Sequence, residues 1–247
     1  MSGKKQRLDQ YLVAHQLADT REQAKRLILA GEVLVGTEVW DKPSASVPAD
    51  REVRVKEKPR FVGRGGLKLE GALEHFGIDV TGLTCFDAGA STGGFTDCLL
   101  QRGAHKVHAY DVGTNQLVWK LRSDPRVVVR EKFNVRHMQA EDVGERVDLV
   151  VLDVSFISLT LILPPCWKIL KERGSVVCLI KPQFELGKEE VSRGGIVRDA
   201  HLREKAVEKI KAFAMNELKA EWCGVMTCPI TGTDGNQEYL AWLKRNA

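Results

Sequence analysis

Leu83-Thr-Cys-Phe-Asp87-Ala-Gly89-Ala-Ser91-Thr-Gly93-Gly94-Phe-Thr96 runs from a short apolar segment through a glycine turn toward a second apolar segment. Residues 83–88 predict a buried strand and residues 95–102 a helix, so the glycines lie where a strand hands over to a helix. Glycine at such a junction permits a tight turn and lets a ligand approach the backbone closely. The glycines fall at 89, 93 and 94, an order that differs from the G-x-G-x-x-G of dinucleotide oxidoreductases. No Lys-Ser/Thr closes the turn as in a P-loop. Asp87 ends the strand; a carboxylate there would repel a pyrophosphate but suits the ammonium and sulfonium of S-adenosylmethionine. Asp111 follows at the expected end of the next strand, where such folds place an acid for ribose hydroxyls.

Outward from this turn the pattern repeats. Residues 105–112, 127–131, 147–154 and 175–181 predict further strands, with helices near 115–121 and 159–170. The unbroken runs Leu149-Val-Val-Leu152 and Val176-Val-Cys-Leu-Ile180 indicate strands covered on both faces, as in a parallel sheet. A long helix at 201–218 precedes two more strands, 221–229 and 238–243. The fold expected is α/β: a Rossmann-like domain over residues 67–247 with an added C-terminal strand pair.

The first quarter reads differently. Leu8, Tyr11, Leu12 and His15 share one helical face. Thr20-Arg-Glu-Gln23 is a capping box that opens a second helix, with Ala24, Leu27 and Ile28 as its buried stripe. Gly31 stands where a left-handed helix stop belongs. Val33/Val35 and Val53/Val55 then alternate with polar residues as short strands. A small α+β domain over 1–58 is expected, joined by an aperiodic Pro/Gly-rich linker over 59–66.

Charge sets this quarter apart as well. The chain carries a net charge of +4 over 247 residues. Residues 1–66 hold 13 Lys/Arg against 9 Asp/Glu, and the remainder holds 24 of each, so the whole excess lies in the N-terminal part, as expected of an appended module for a polyanion. Six cysteines lack any C-x-x-C pair, and His105 and His108 fall on one expected strand, so neither a disulfide framework nor a metal is expected. No apolar run is long enough to span a bilayer and no apolar leader opens the chain. A cytoplasmic location is the expectation.

Two of the apolar strands end in charge, at Asp153 and at Lys181. A charge at such a position needs a partner or a task, because burying it alone is costly. Lys68, just past the linker, and Glu238, at the start of the last strand, are the expected neighbours, because ligands in open parallel sheets sit beyond the carboxyl ends of the strands.

The segments Gly63-Arg-Gly-Gly-Leu-Lys68-Leu, Asp87-Ala-Gly-Ala-Ser-Thr-Gly-Gly-Phe-Thr-Asp97, Leu152-Asp-Val-Ser-Phe-Ile157, Ile180-Lys-Pro-Gln-Phe-Glu185 and Gly235-Asn-Gln-Glu238 closely resemble the TlyA (haemolysin A) family. Its catalytic domain is similar to the FtsJ-like ribose 2′-O-methyltransferases. Residues Arg7-Leu8-Asp9, Thr20-Arg21, Ala24, Ile28, Gly31 and Val33-x-Val35 resemble the S-four-type (αL) RNA-binding domain. The resemblance implies a Lys-Asp-Lys-Glu tetrad at Lys68, Asp153, Lys181 and Glu238, S-adenosylmethionine as cofactor and ribosomal RNA as partner, with a cytidine of the small or large subunit favoured. One departure is Gly63, where relatives commonly carry Ser.

The cofactor site is expected to comprise Asp87, Gly89, Ala90, Ser91, Thr92, Gly93, Gly94, Asp111, Asn134 and Asp153. Arg7, Arg21, Lys25, Arg26, Arg60 and Arg64 are the expected RNA contacts. Since a ribose hydroxyl is a poor nucleophile at neutral pH, a group must take its proton. Lys181 is assigned that role, Lys68 positions the hydroxyl and a neighbouring phosphate, and the two acids orient the lysines. The residues leave three alternatives: a membrane-active haemolysin, an RNA-binding protein with an inactive methyltransferase domain, and an NAD-linked oxidoreductase. The absence of a spanning or amphipathic segment, the intact tetrad and the glycine order speak against them in turn.

Overall fold

The computed structural model describes residues 6–48, 50–56, 59–232 and 234–246. The chain divides into two compact units, Met1–Pro59 and Arg60–Ala247.

In the first unit, strand β1 (Gln6–Arg7) leads into helices α1 (Leu8–Ala14) and α2 (Arg21–Leu29), followed by β2 (Val33–Val35), β3 (Glu38–Val39), β4 (Ser46–Val47) and β5 (Val53–Val55). Strands β1 and β4 pair antiparallel, and β3-β2-β5 form a second small sheet. Leu8, Leu12, Ala24, Ile28, Val33, Val35 and Val53 close one core, which includes the expected Ala24/Ile28 stripe. Thr20 caps α2 by accepting the Gln23 amide at 3.2 Å. The other half of the expected capping box is displaced by one residue: the Gln23 side chain accepts from the Asp19 amide. Gly31 adopts the left-handed conformation, φ +69°.

The second unit opens with a helix that the sequence pattern does not announce, α3 (Gly65–Phe76). Of the expected linker, Arg60 to Gly66 belongs to this unit, and Phe61 is buried in its core. A Cβ on Gly66 would stand 2.3 Å from the Phe61 ring. The glycines that suggest a linker therefore allow the helix to close over an aromatic anchor.

Strands and helices follow α3 in turn: β6 (Thr84–Ala88), α4 (Gly94–Gln101), β7 (Lys106–Tyr110), α5 (Trp119–Arg122), β8 (Val127–Arg130), β9 (Val147–Leu152), α6 (Leu159–Ile169), β10 (Leu170–Ile180), then α7 (Pro182–Glu185), α8 (Ala200–Glu217), β11 (Glu221–Thr227) and β12 (Tyr239–Lys244). They build one seven-stranded sheet in the order β11-β12-β10-β9-β6-β7-β8. Strands β6 to β10 run parallel, and β12 runs antiparallel between β10 and β11. One face buries Phe86, Val150 and Val176 under α6 and α8; the other buries Cys85, Val151 and Val177 under α3 and α4. Both faces are covered, which is why the central strands are apolar without alternation.

Several expected elements are shorter, two of them beside the crevice. The helix expected over 115–121 is reduced to the single turn of α5, because the Glu131 carboxylate takes the amides of Asn115 and Gln116 and Asn115 turns left-handed at φ +54°. Strand β9 stops at Leu152, although Asp153 still donates its amide to the Ala88 carbonyl. The chain therefore diverges at Asp153, beside the point where successive strands leave in opposite directions from β6. Such a switch point leaves a crevice beyond the carboxyl ends of the strands.

Candidate active site

Four elements carry the expected tetrad to that crevice. Lys68 lies in the first turns of α3, Asp153 follows β9, Lys181 follows β10, and Glu238 immediately precedes β12. Lys68 Nζ donates to Glu238 Oε2 at 2.6 Å, and Lys181 Nζ lies 2.7 Å from Asp153 Oδ1. Lys68 and Lys181 are each 8% exposed and Glu238 2%, so each charge is shielded from water and balanced by an opposite one. All four side chains line one cavity of about 390 Å³, together with Arg64, Gly89, Ser155, Phe156 and Phe184. Gly232 makes room for the Glu238 carboxylate, since a Cβ there would meet Oε1 at 2.6 Å.

A second cavity of about 400 Å³ adjoins the first and shares Gly89, Ser91, Asp153, Ser155 and Phe156 with it. Its walls are mostly apolar, from Val112, Phe133, Val135, Ile157 and Ile162, with Asp111 and Asn134 among them. Asp111 is held in place by the amides of Ser91 (2.8 Å) and Gly113 (2.7 Å). The glycine turn is tightly drawn against β9: a Cβ on Gly89 would lie 2.6 Å from the Asp153 carbonyl oxygen. An apolar slot with a carboxylate fixed on its wall and a second, Asp153, at its junction with the tetrad fits a cationic nucleoside such as S-adenosylmethionine. Asp111 would hold the ribose and Asp153 would face the positive end, and the group would supply an activated methyl.

Of the residues expected around the cofactor, Gly89, Ser91, Asp111, Asn134 and Asp153 line these cavities, whereas Asp87, Ala90, Thr92, Gly93 and Gly94 do not. The latter shape the turn from behind. Gly93, at φ +101°, packs where a Cβ would meet Leu121 Cδ1 at 2.2 Å. Asp87 is fully buried; its Oδ2 accepts from Thr96 Oγ1 at 2.6 Å, tying β6 to the first turn of α4, while Oδ1 has no partner. Burial pushes the Asp87 carboxyl up to about 7, assisted by the negative charges of Asp153 and Asp111 and opposed by the Thr96 hydrogen bonds. Asp87 thus lies beneath the turn, where its bond to Thr96 braces the start of α4.

Two features escaped the pattern reading, and Arg64, an expected RNA contact, stands on the wall of the tetrad cavity. Phe156 is 90% exposed in a left-handed conformation (φ +64°) and packs beside Phe184, ring centroids 5.1 Å apart. Ser155 accepts a hydrogen bond from Lys181 Nζ at 2.8 Å. Arg64 is tethered to the Thr231 carbonyl at 2.9 Å. An aromatic beside a charged strand end was a legible signal for Phe156; nothing in the spacing singled out Ser155.

The expected RNA contacts divide by environment. Arg7 and Arg21 both clasp the fully buried Asp9 at 3.0 Å. The guanidinium of Arg7, then that of Arg21, holds the Asp9 carboxyl down to about 2 against the cost of its burial. Arg26 is exposed and Lys25 lies 3.8 Å from Glu22, leaving these two as the freer cations of α2. In the second unit Arg60 binds Glu70 at 2.6 Å. Among the described residues no group of His, Cys, Asp and Glu could hold a metal ion, and no helix is long and apolar enough to cross a membrane.

Comparison with known proteins agrees with this geometry. The model of the FtsJ-like methyltransferases matches residues 61–245 and that of the S4 domain residues 6–53. The chain is 46% identical over 244 residues to the 16S/23S rRNA (cytidine-2'-O)-methyltransferase TlyA of Mycobacterium tuberculosis, covering 98% of this chain and 91% of the relative. It is 45% identical over 241 residues to Hemolysin A of Brachyspira hyodysenteriae, covering 95% of this chain and 98% of that one. A solved structure from Streptococcus thermophilus, described as a candidate hemolysin, superposes with a TM-score of 0.75 at 47% identity, over 98% of this chain and 89% of its own. The chain belongs to the FtsJ-like methyltransferases, in the TlyA group that carries an N-terminal S4 domain.

Proposed function

We propose that this protein transfers a methyl group from S-adenosylmethionine to a cytidine ribose 2′-hydroxyl of ribosomal RNA, with Lys68, Asp153, Lys181 and Glu238 as its catalytic residues. The observation that carries the proposal is the meeting of two shielded ion pairs, Lys68–Glu238 and Lys181–Asp153, on one cavity wall that opens into an apolar slot with Asp111 on its wall. The cytidine and ribosomal specificity rests on the relatives.

S-adenosylmethionine, when bound, supplies a methyl carbon on a positively charged sulfur, and the carbon–sulfur bond breaks with its electron pair left on sulfur. Lys181, after its ammonium has released a proton to solvent, receives the hydroxyl proton as the new oxygen–carbon bond forms. Asp153 fixes Nζ at the junction of the two cavities, where acceptor and methyl must meet in line; such alignment accounts for much of the acceleration in a displacement of this kind. Lys68, held by Glu238, meets the acceptor ribose and its phosphate, and Arg64 adds a second cation on the same wall. A 2′-hydroxyl within a helix cannot reach a recessed amine, so the target nucleotide leaves its stack. Phe156 and Phe184 offer an aromatic surface for its base at the mouth of the cavity.

Replacing Lys181 tests the assignment. Lys181→Ala should lower turnover by about a hundred- to ten-thousand-fold, the usual cost of losing general-base catalysis. Affinity for cofactor and for RNA should stay within a few-fold of wild type. Lys181→Arg should not restore activity, since a guanidinium stays protonated. Tritiated methyl incorporation into ribosomal subunits, with separate binding titrations, gives the answer. Near-normal methylation by Lys181→Ala would remove Lys181 from the base role.

A further inference from the structure

The amine of Lys181 has a second partner that the tetrad does not include. Its Nζ donates to Ser155 Oγ at 2.8 Å while lying 2.7 Å from Asp153 Oδ1. Ser155 is exposed and lines both cavities, at their junction. An ammonium carries three donors. Two of them are directed here by Asp153 and Ser155, so the direction of the third position is set by the other two.

This matters for a base. A neutral lysine amine has two N–H groups and one lone pair, and a single carboxylate partner fixes one N–H but leaves the lone pair free to take either of the other two positions. Asp153 is acceptor-only when ionised, so it can hold Nζ only through an N–H. The Ser155 oxygen accepts from Nζ, so with Asp153 it can take both N–H groups of the neutral amine and leave the lone pair toward the tetrad cavity. Ser155 also follows Asp153 by two residues and precedes Phe156, whose backbone is left-handed. The turn that presents the aromatic ring therefore presents the hydroxyl as well.

We propose that Ser155 is a positioning residue for methyl transfer: its hydroxyl fixes the rotation of the Lys181 amine, so that the position left open faces the acceptor hydroxyl in the tetrad cavity. This rests on the reading of Lys181 as the base. When the 2′-hydroxyl proton arrives on Nζ, Ser155 accepts from the new ammonium and the geometry is kept. The role is specific to the reaction, because Ser155 is a surface residue whose side chain contributes nothing to either core.

The experiment compares Ser155→Ala, Ser155→Thr and Lys181→Ala in the full chain. Ser155→Ala should lower kcat roughly five- to tenfold, the worth of one hydrogen bond. KM for cofactor and for ribosomal subunits should stay within about twofold, as for an interaction made in the transition state. Ser155→Thr, which keeps the hydroxyl, should restore most of the rate. In cofactor-free protein, ¹⁵N NMR of the Lys181 side chain should show slow exchange of its N–H protons with water in wild type and Ser155→Thr, and faster exchange in Ser155→Ala. An unchanged kcat in Ser155→Ala, a defect that Thr does not rescue, or identical exchange in all three proteins would overturn the role. Inactive Lys181→Ala beside fully active Ser155→Ala would overturn this proposal alone; active Lys181→Ala would overturn the base assignment beneath it.

Discussion

Replacing Asp87 by Asn should change how the stability of the second unit depends on pH, and the size of the change follows from the burial. Asp87 lies at 0% exposure with one oxygen bonded to Thr96 and the other without a partner. Its carboxyl is pushed up to about 7 in the folded protein, from an ordinary value near 3.8. Between these two values the folded state holds a proton that the unfolded state has released. Stability attached to this group is therefore fully present below about pH 4 and declines as pH rises through about 7. A single such group changes stability by up to about 1.4 kcal/mol per pH unit, and over the whole window by on the order of 4 kcal/mol. Asparagine keeps the acceptor for Thr96 and has no charge to desolvate, so the variant lacks this contribution. Urea unfolding without cofactor, followed by tryptophan fluorescence, suits the measurement because Trp119, Trp167, Trp222 and Trp242 all lie in the second unit. The difference in stability between Asp87→Asn and wild type should grow in favour of the variant from about pH 5 to about pH 7 and level off above that. A difference independent of pH would show that Asp87 is ionised throughout and would refute the argument.

Two further outcomes are expected. Asp111→Ala should weaken S-adenosylmethionine binding by about tenfold or more in calorimetry, because the carboxylate fixed by the Ser91 and Gly113 amides no longer offers a charge-assisted hydrogen bond to the ribose; wild-type affinity would remove Asp111 from the cofactor site. The double variant Lys25→Ala/Arg26→Ala should bind ribosomal RNA more weakly and flatten the slope of log affinity against log salt by nearly one for each phosphate no longer neutralised, with cofactor affinity unchanged; an unaltered slope would place the RNA surface elsewhere.

Sequence by itself determined the class of this protein, because its strongest signals are local. Unbroken apolar runs at 149–152 and 176–180 follow from strands covered on both faces. The glycine turn follows from the backbone geometry of a strand meeting a helix, and Gly89 and Gly93 do take left-handed conformations. Asp153 and Lys181 were legible as neighbours because charges at the ends of apolar strands are costly unless they meet, and the sheet brings those two ends to one side. Tertiary structure decided what depends on distant partners. Helix α3 was hidden by its glycines, which make space for Phe61 rather than loosen the chain. Arg7 and Arg21 carry the same charge in sequence as Arg26, yet only the fold places buried Asp9 between them. Asp87 stands at a strand end in sequence, and only the fold shows its Oδ2 bonded to Thr96 of α4. Ser155 has no sequence signature, because its role comes from a hydrogen bond to an amine 26 residues away. Periodicity records which face a residue turns toward the core; it does not record which distant side chain waits there.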